Sequence, residues 1–261
     1  MNLLEIHDFA RDVARIGGQV TLEWFSRTDL AVERKADDTP VTIADRTTEK
    51  VMRDAIRQRF PDHLVVGEEE GGEITGSGME WVIDPIDGTK TFIRGVPLYT
   101  TLLAVLLEGV PQVGVIHAPA TGELVSALLG QGAWDERRRP VRVSAVKRLE
   151  NAWYVTTDPA DFYRRDPGFS TALLDRCASA RTWADAYGYM LLARGAIDIM
   201  IDPILAPWDV APLGVIVREA GGVFTDFSGV AQNVGESSLA CATKELHREV
   251  LKLRETCASG A

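Results

Sequence analysis

The stretch Trp81-Val82-Ile83-Asp84-Pro85-Ile86-Asp87-Gly88-Thr89 constrains the fold more than any other in the chain. Val82 and Ile83 after Trp81 make the short apolar run of a covered strand. Pro85, with no N–H to give to a ladder, is expected to end that strand just after Asp84. Two carboxylates, a glycine and a hydroxyl then share one turn. Gly88 lets the backbone bend or approach a ligand, and Thr89 can open a helix whose amides face an anion. Carboxylates so close to an anion site repel each other and the anion unless cations lie between them. A hard-metal phosphate site meets that condition. An Asp-rich surface turn is the simpler alternative, and the stretch alone does not separate the two.

A chain of 261 residues with 46% hydrophobic content can bury a substantial core as one large domain or two small ones. A net charge of −10 argues against a nucleic-acid backbone as the main partner, because binding one needs a basic face. Cys177, Cys241 and Cys257 are odd in number, far apart and without metal-ligand spacing, which predicts unpaired thiols in a reducing compartment. The N-terminus carries early acids and no basic-then-apolar pattern, and no apolar run is long enough to span a bilayer. A cytoplasmic, soluble protein without membrane contact is expected.

Apolar residues from Leu3 to Trp24 recur at helical spacing, with Gly17-Gly18 inside as a possible close crossing. Ala31 to Lys35 reads as extended, Asp37 to Pro40 as a polar loop, and Val41 to Asp45 as the entry to a second helix in which Asp45 is an ordinary N-terminal cap. Runs at Leu102–Leu107, Val113–His117 and Glu123–Leu128 predict antiparallel strands. Asp135 to Arg139 reads as a charged hairpin tip. Further along, Trp153–Thr157, Ile197–Ile201 and Val223–Asp226 read as strands. Helices are expected at Phe169–Ala178, after Asp185, at Trp208–Glu219 as an amphipathic segment, and at Glu245–Leu253. Strands alternating with helices around an antiparallel patch indicate a layered α/β or α+β fold. Residues 1–145 would carry the metal-binding turn and residues 146–261 would complete one catalytic unit.

Three fragments in order, Gly67-Glu68-Glu69, Asp84-Pro85-Ile86-Asp87-Gly88-Thr89 and Trp208-Asp209-Val210-Ala211, resemble the G-E-E, D-P-[IL]-D-G-T and W-D-x-A signatures of the inositol monophosphatase superfamily. The resemblance spans nearly the whole chain. It implies an α-β-α-β-α sandwich of the inositol monophosphatase and fructose-1,6-bisphosphatase type, and a Mg²⁺-dependent, lithium-sensitive phosphomonoesterase that is commonly dimeric. It further implies that Glu68, Asp84 and the Ile86 carbonyl hold one Mg²⁺ and that Asp84, Asp87 and Asp209 hold a second, with Mn²⁺ or a third ion possible. Thr89, supported by Asp45 in the V-T-x-A-D motif, would orient the attacking water with Glu68. The Gly88 and Thr89 amides would hold phosphate oxygens. Lys35 and the loop after it resemble the family's metal-binding loop. Glu69 receives no role.

Phe92 to Pro97 and Arg181-Thr182-Trp183-Ala184-Asp185-Ala186-Tyr187-Gly188-Tyr189 look most like the histidinol-phosphatase branch, whose members often read R-T-W-G-D-C-Y-G-Y. Ala184 and Ala186 stand where that pattern has glycine and cysteine. Histidinol phosphate presents an amine and an imidazole that acidic side chains can bind, and Asp185 and Asp202 are the expected contacts. A helix cap is the competing role for Asp185. Inositol-1-phosphate hydrolysis is the alternative within the superfamily, and a catalytically silent metal-dependent binding protein the alternative outside it.

Overall fold

The computed structural model describes residues 2–27, 29–35, 39–183, 185–231 and 237–259. In chain order the elements are α1 (Leu3–Trp24), β1 (Val32–Arg34), β2 (Pro40–Thr42), α2 (Ile43–Arg59), β3 (Leu64–Gly67), β4 (Met79–Asp87), α3 (Thr89–Phe92), β5 (Thr100–Leu107), β6 (Val110–Ala118), β7 (Glu123–Leu128) and β8 (Gly132–Asp135). There follow β9 (Trp153–Thr156), α4 (Pro159–Arg165), α5 (Pro167–Arg176), β10 (Ser179–Arg181), α6 (Ala186–Ala193), β11 (Ile199–Asp202), α7 (Pro207–Glu219), β12 (Val223–Thr225), β13 (Ser238–Cys241) and α8 (Lys244–Ser259).

The Asn2 side chain caps α1 by accepting the Leu4 N–H at 3.1 Å. The row Ile6, Ala10, Val13 and Ala14 is fully buried against the first sheet, where each large aliphatic side chain contributes about 2 kcal/mol. Gly17 and Gly18 explain themselves here. A Cβ at Gly17 would stand 2.6 Å from Met52 Sδ on α2, and one at Gly18 would strike the His117 ring on β6. The paired glycines therefore set how closely α1 approaches its neighbours.

The first sheet has the order β3-β4-β5-β6-β7-β8, parallel between β3 and β4 and antiparallel elsewhere. Pro85 does not end β4. The strand runs on to Asp87, opposite Thr100, because a register shift between Asp84 and Asp87 takes the proline off the ladder while its carbonyl accepts the Thr101 hydroxyl at 2.9 Å. The second sheet has the order β10-β9-β11-β13-β12, with β9 parallel to β10 and β11, and β13 antiparallel to β11 and β12.

Between the sheets lie α6 and α7. The expectation of an amphipathic helix at Trp208–Glu219 is corrected: Val210 through Val217 are all buried, because a helix between two sheets has no solvent face. Gly114 on β6 lets it settle against that strand, since a Cβ there would meet Val215 Cγ1 at 2.6 Å. α1 and α2 cover the outer face of the first sheet, and α4, α5 and α8 that of the second, through Phe162, Phe169, Leu173, Leu246 and Val250. The result is a layered α-β-α-β-α sandwich. No helix among the described residues is long and apolar enough to cross a membrane. The three cysteines are free thiols.

Candidate active site

The carboxyl ends of β3 and β4, the N-termini of α3 and α7, and the entry to α6 converge on one open cleft of about 430 Å³. Oxygens of Asp84, Asp87 and Asp209 lie within 4.8 Å of one another there, brought from two sequence regions more than 120 residues apart. Asp84 is buried, and one of its oxygens accepts the Ile86 N–H at 3.0 Å. Asp87 Oδ2 accepts both the Thr100 hydroxyl at 2.7 Å and the Ala186 N–H at 2.8 Å, which ties the first sheet to α6. Asp209 is the third residue of α7 and reaches back to the Ala206 N–H at 2.8 Å.

Burial first, then repulsion from Glu68, Asp87 and Asp209, holds the Asp84 carboxyl well above the ordinary range. Asp87 is raised likewise, by burial and then by Asp185 and Asp209, and burial pushes Asp209 up to about 7. Three oxygen-donor groups forced together in this way fit a hard divalent cation, whose charge offsets their mutual repulsion and compensates the buried negative charge.

Glu68, one residue beyond β3, lines the same cleft, and its carboxylate accepts from Lys35 Nζ at 2.7 Å. Lys35 also donates to Glu69 at 2.5 Å. Burial raises Glu69 to about 7 and opposes the charge on Lys35, but the two carboxylate bonds outweigh that opposition and raise the ammonium. Asp37 and Asp38, which belong to the same loop in sequence, and Ala184, beside Asp185, lie outside the described residues.

Gly88 adopts φ +83°, a left-handed conformation that glycine takes without strain, and opens α3. A Cβ at Gly88 would also collide with Asp185 Oδ2. The Thr89 hydroxyl donates toward the Ile86 carbonyl at 3.1 Å and lies 3.4 Å from Asp45 Oδ1. Asp45 is not the cap itself. Thr42 is the N-cap of α2, and Asp45 is its capping-box partner, with Oδ2 accepting both the Thr42 N–H and hydroxyl and Oδ1 facing Thr89.

Asp185 precedes α6 without capping it through its side chain. Its carboxylate instead accepts the Thr91 hydroxyl at 3.0 Å, in the cleft wall, from a backbone at φ +52°. Such strain in a non-glycine residue is characteristic of functional positions. Asp202 lies deeper, only 3% exposed, with Oδ1 accepting the Thr157 N–H at 3.0 Å and Oδ2 the Tyr189 hydroxyl at 2.8 Å. Thr157 in turn receives the Asp185 N–H at 3.2 Å. Thr91, Thr100 and Thr157 received no role from the sequence, and Tyr189 entered only as the last residue of the Arg181–Tyr189 stretch. Of these contacts only Thr91 to Asp185 joins the two halves; Thr100 meets Asp87 across β4 and β5, and Thr157 and Tyr189 meet Asp202 within the second half.

The model of the inositol monophosphatase family matches residues 2–259. The chain belongs to this family. Its phosphatases are metal-dependent and act on small phosphomonoesters, which agrees with a cluster of carboxylates beside a glycine-opened turn. Relatives include a histidinol-phosphatase of Chlorobaculum parvum, 39% identical over 253 residues and covering 93% of both chains. A histidinol-phosphatase of Mycobacterium tuberculosis is 41% identical over 240 residues, covering 89% of this chain and 91% of that protein. Among solved structures, the Thermotoga maritima IMPase superposes with a TM-score of 0.88 at 32% identity, over 97% of this chain and 98% of its own. The SuhB protein of Bartonella henselae gives 0.89 at 25% identity, over 96% and 98%.

Proposed function

We propose that the chain is a Mg²⁺-dependent histidinol-phosphatase, hydrolysing L-histidinol phosphate to L-histidinol and phosphate. The observation that carries this reading is the Asp185 carboxylate, an acid that lines the same cleft as the cluster and is bound, outside the cluster, to Thr91. A cationic amine there offsets the charge of a buried acid. The two relatives named histidinol-phosphatase support the same choice.

Asp84, Asp87 and Asp209, with Glu68 and the Ile86 carbonyl, would hold the Mg²⁺, which when bound supplies Lewis-acid polarisation of water and of the phosphoryl oxygens. Thr89, oriented by Asp45, aligns the attacking water, and Glu68 accepts its proton. As the new P–O bond forms, the ester bond breaks and the leaving alkoxide takes a proton from solvent water to depart as the alcohol, while the Gly88 and Thr89 amides hold the phosphoryl oxygens. Asp202 supports from behind: both its oxygens are engaged, and it steadies Thr157, which receives the Asp185 N–H.

The test is initial phosphate release from histidinol phosphate and from myo-inositol 1-phosphate, with Mg²⁺ and with chelator. Mg²⁺-dependent preference for histidinol phosphate is expected. Asp185→Asn should raise KM for that ester by about tenfold or more, the worth of one charged hydrogen bond, with little change for the inositol ester. Equal turnover of the two esters, or preference for the inositol ester, would overturn the substrate assignment and leave the chemistry of the cluster intact.

A further inference from the structure

Along α2, Asp45, Glu49 and Arg53 follow at four-residue spacing and share the face turned toward the site. Asp45 meets Thr89. Glu49, one turn on, is 0% exposed, and its carboxylate accepts the backbone N–H groups of Glu69 and Glu70 at 2.7 and 2.9 Å and the Arg53 Nε–H at 2.8 Å. Arg53, only 3% exposed, sends its remaining nitrogens to the Val65 carbonyl at 2.7 Å and the Gly71 carbonyl at 2.8 Å, on either side of the turn. The turn is closed by the Gly67 N–H to the Gly71 carbonyl at 3.1 Å. A Cβ at Gly67 would overlap the Glu49 carboxylate, so a side chain there would force Glu49 out of its present bonds.

We infer that Glu49 and Arg53 are positioning residues for the turn carrying Glu68, and that they set the affinity of the cluster for its divalent cation. The inference rests on the cation reading of the cluster. A buried ion pair is a costly way to obtain stability, since apolar side chains of similar volume serve as well or better. Charge-assisted bonds to backbone give direction that apolar packing lacks. Here two of them seize the amides directly after Glu68, and the Glu68 N–H is held from the other side by the Ile83 carbonyl at 3.3 Å. The Glu68 side chain therefore leaves a backbone fixed on both flanks. One helix face thus aligns both the Thr89 hydroxyl, through Asp45, and the Glu68 carboxylate, through Glu49 and Arg53.

The experiment is calorimetric titration of Mg²⁺ and of Mn²⁺ into chelator-stripped full-length protein, with hydrogen exchange at the Glu69 and Glu70 amides as a second readout. Glu49→Gln should weaken cation binding by about tenfold to a hundredfold, as is usual when the partner of a ligand is removed. Its single carbonyl oxygen can still accept on one side, so protection should survive at the Glu70 amide, which shares an acceptor with Arg53, and be lost at the Glu69 amide, which would face the new N–H₂. At saturating cation, kcat should recover to within a few fold and KM for the phosphate ester should stay unchanged. Arg53→Lys, which keeps the charge on Glu49 but cannot reach both carbonyls, should fall between. Gly67→Ala attacks the same contact from the other side and carries the test if Glu49→Gln does not fold. Ile56→Ala, a core deletion on the same helix, and Lys50→Ala, on its exposed face, are the controls. Wild-type cation affinity in folded Glu49→Gln would overturn the inference. So would losses of affinity that merely track melting temperature, as in Ile56→Ala. Failure of the wild type to take up either cation would overturn the cation reading beneath it, an outcome distinct from both.

Discussion

Replacing Asp87 by asparagine should make the cation-free protein more stable while destroying its chemistry. Both hydrogen bonds to Asp87, from the Thr100 hydroxyl and the Ala186 N–H, fall on the single oxygen Oδ2. An asparagine carbonyl can accept both, leaving the amide nitrogen where the second carboxylate oxygen faced the cluster. The packing is unchanged, so the variant differs chiefly in charge. With carboxylate oxygens within 4.8 Å of one another, one pair of unit charges at an effective dielectric near 20 repels by about 3 kcal/mol. The three groups share protons rather than all ionising, so relief of one pair is the expected gain. For a chain of this length that is a rise in Tm of about 6 °C. Thermal melts at pH 7.5 in chelator test it directly. Added Mg²⁺ should stabilise the wild type far more than the variant, because only the former regains a full ligand set, and phosphate release should fall by a factor of about a hundred or more. The gain in chelator should vanish below about pH 4, where the Asp87 carboxyl is protonated in the folded and the unfolded chain alike. A variant that melts at or below the wild-type temperature in chelator at pH 7.5, with its hydrogen bonds intact, would refute the repulsion argument.

Three further outcomes follow from the same geometry. Gly88→Ala places a side chain at φ +83° and against the Asp185 carboxylate; the left-handed strain alone is about 1–2 kcal/mol, and kcat should drop at least about tenfold, read by calorimetry and steady-state kinetics. Asp45→Asn keeps an oxygen for Thr42 but turns an N–H₂ toward Thr89, so kcat should fall by about ten- to a hundredfold with KM nearly unchanged; an equal rise in KM would contradict an orienting role. Burial drives His117 down to about 4 from 6.5, so its effect on stability is absent above pH 6.5 and stability is lost as pH falls from 6.5 to about 4, by about 3 kcal/mol in all. Denaturant unfolding of wild type and His117→Gln across that window should show a shallower loss in the variant, since the glutamine can still donate to the Ala14 carbonyl without titrating.

The site was legible in sequence where neighbours along the chain share a function. Asp84, Asp87, Gly88 and Thr89 lie on one turn, and a turn with two acids and a glycine announces its chemistry locally. The antiparallel run from β5 to β7 was equally plain, because each strand follows its partner after a short polar connection. Less legible were elements without pattern of their own. α4 has only seven residues, and β10 and β13 three and four, too few for a period to emerge, and their state is decided by the sheet and core they join. The Pro85 expectation failed for a related reason: a bulge is a property of two strands, and only β5 determines where it falls.

The sequence by itself determined the inventory: which acids stand at turns and helix starts, and which segments are apolar enough to be covered. Tertiary structure decided the assignments. It brought Asp209 to Asp84 and Asp87, buried Asp202 against Thr157 and Tyr189, set Asp185 upon Gly88, and turned α7 from a half-exposed helix into a central one. Spacing along a chain reports only what lies within a turn or a hairpin. A carboxylate's partners, and hence its charge and its work, depend on groups that folding delivers from elsewhere in the chain, 45 residues away for Asp202 and Thr157, 94 for Asp185 and Thr91 and 99 for Asp87 and Ala186.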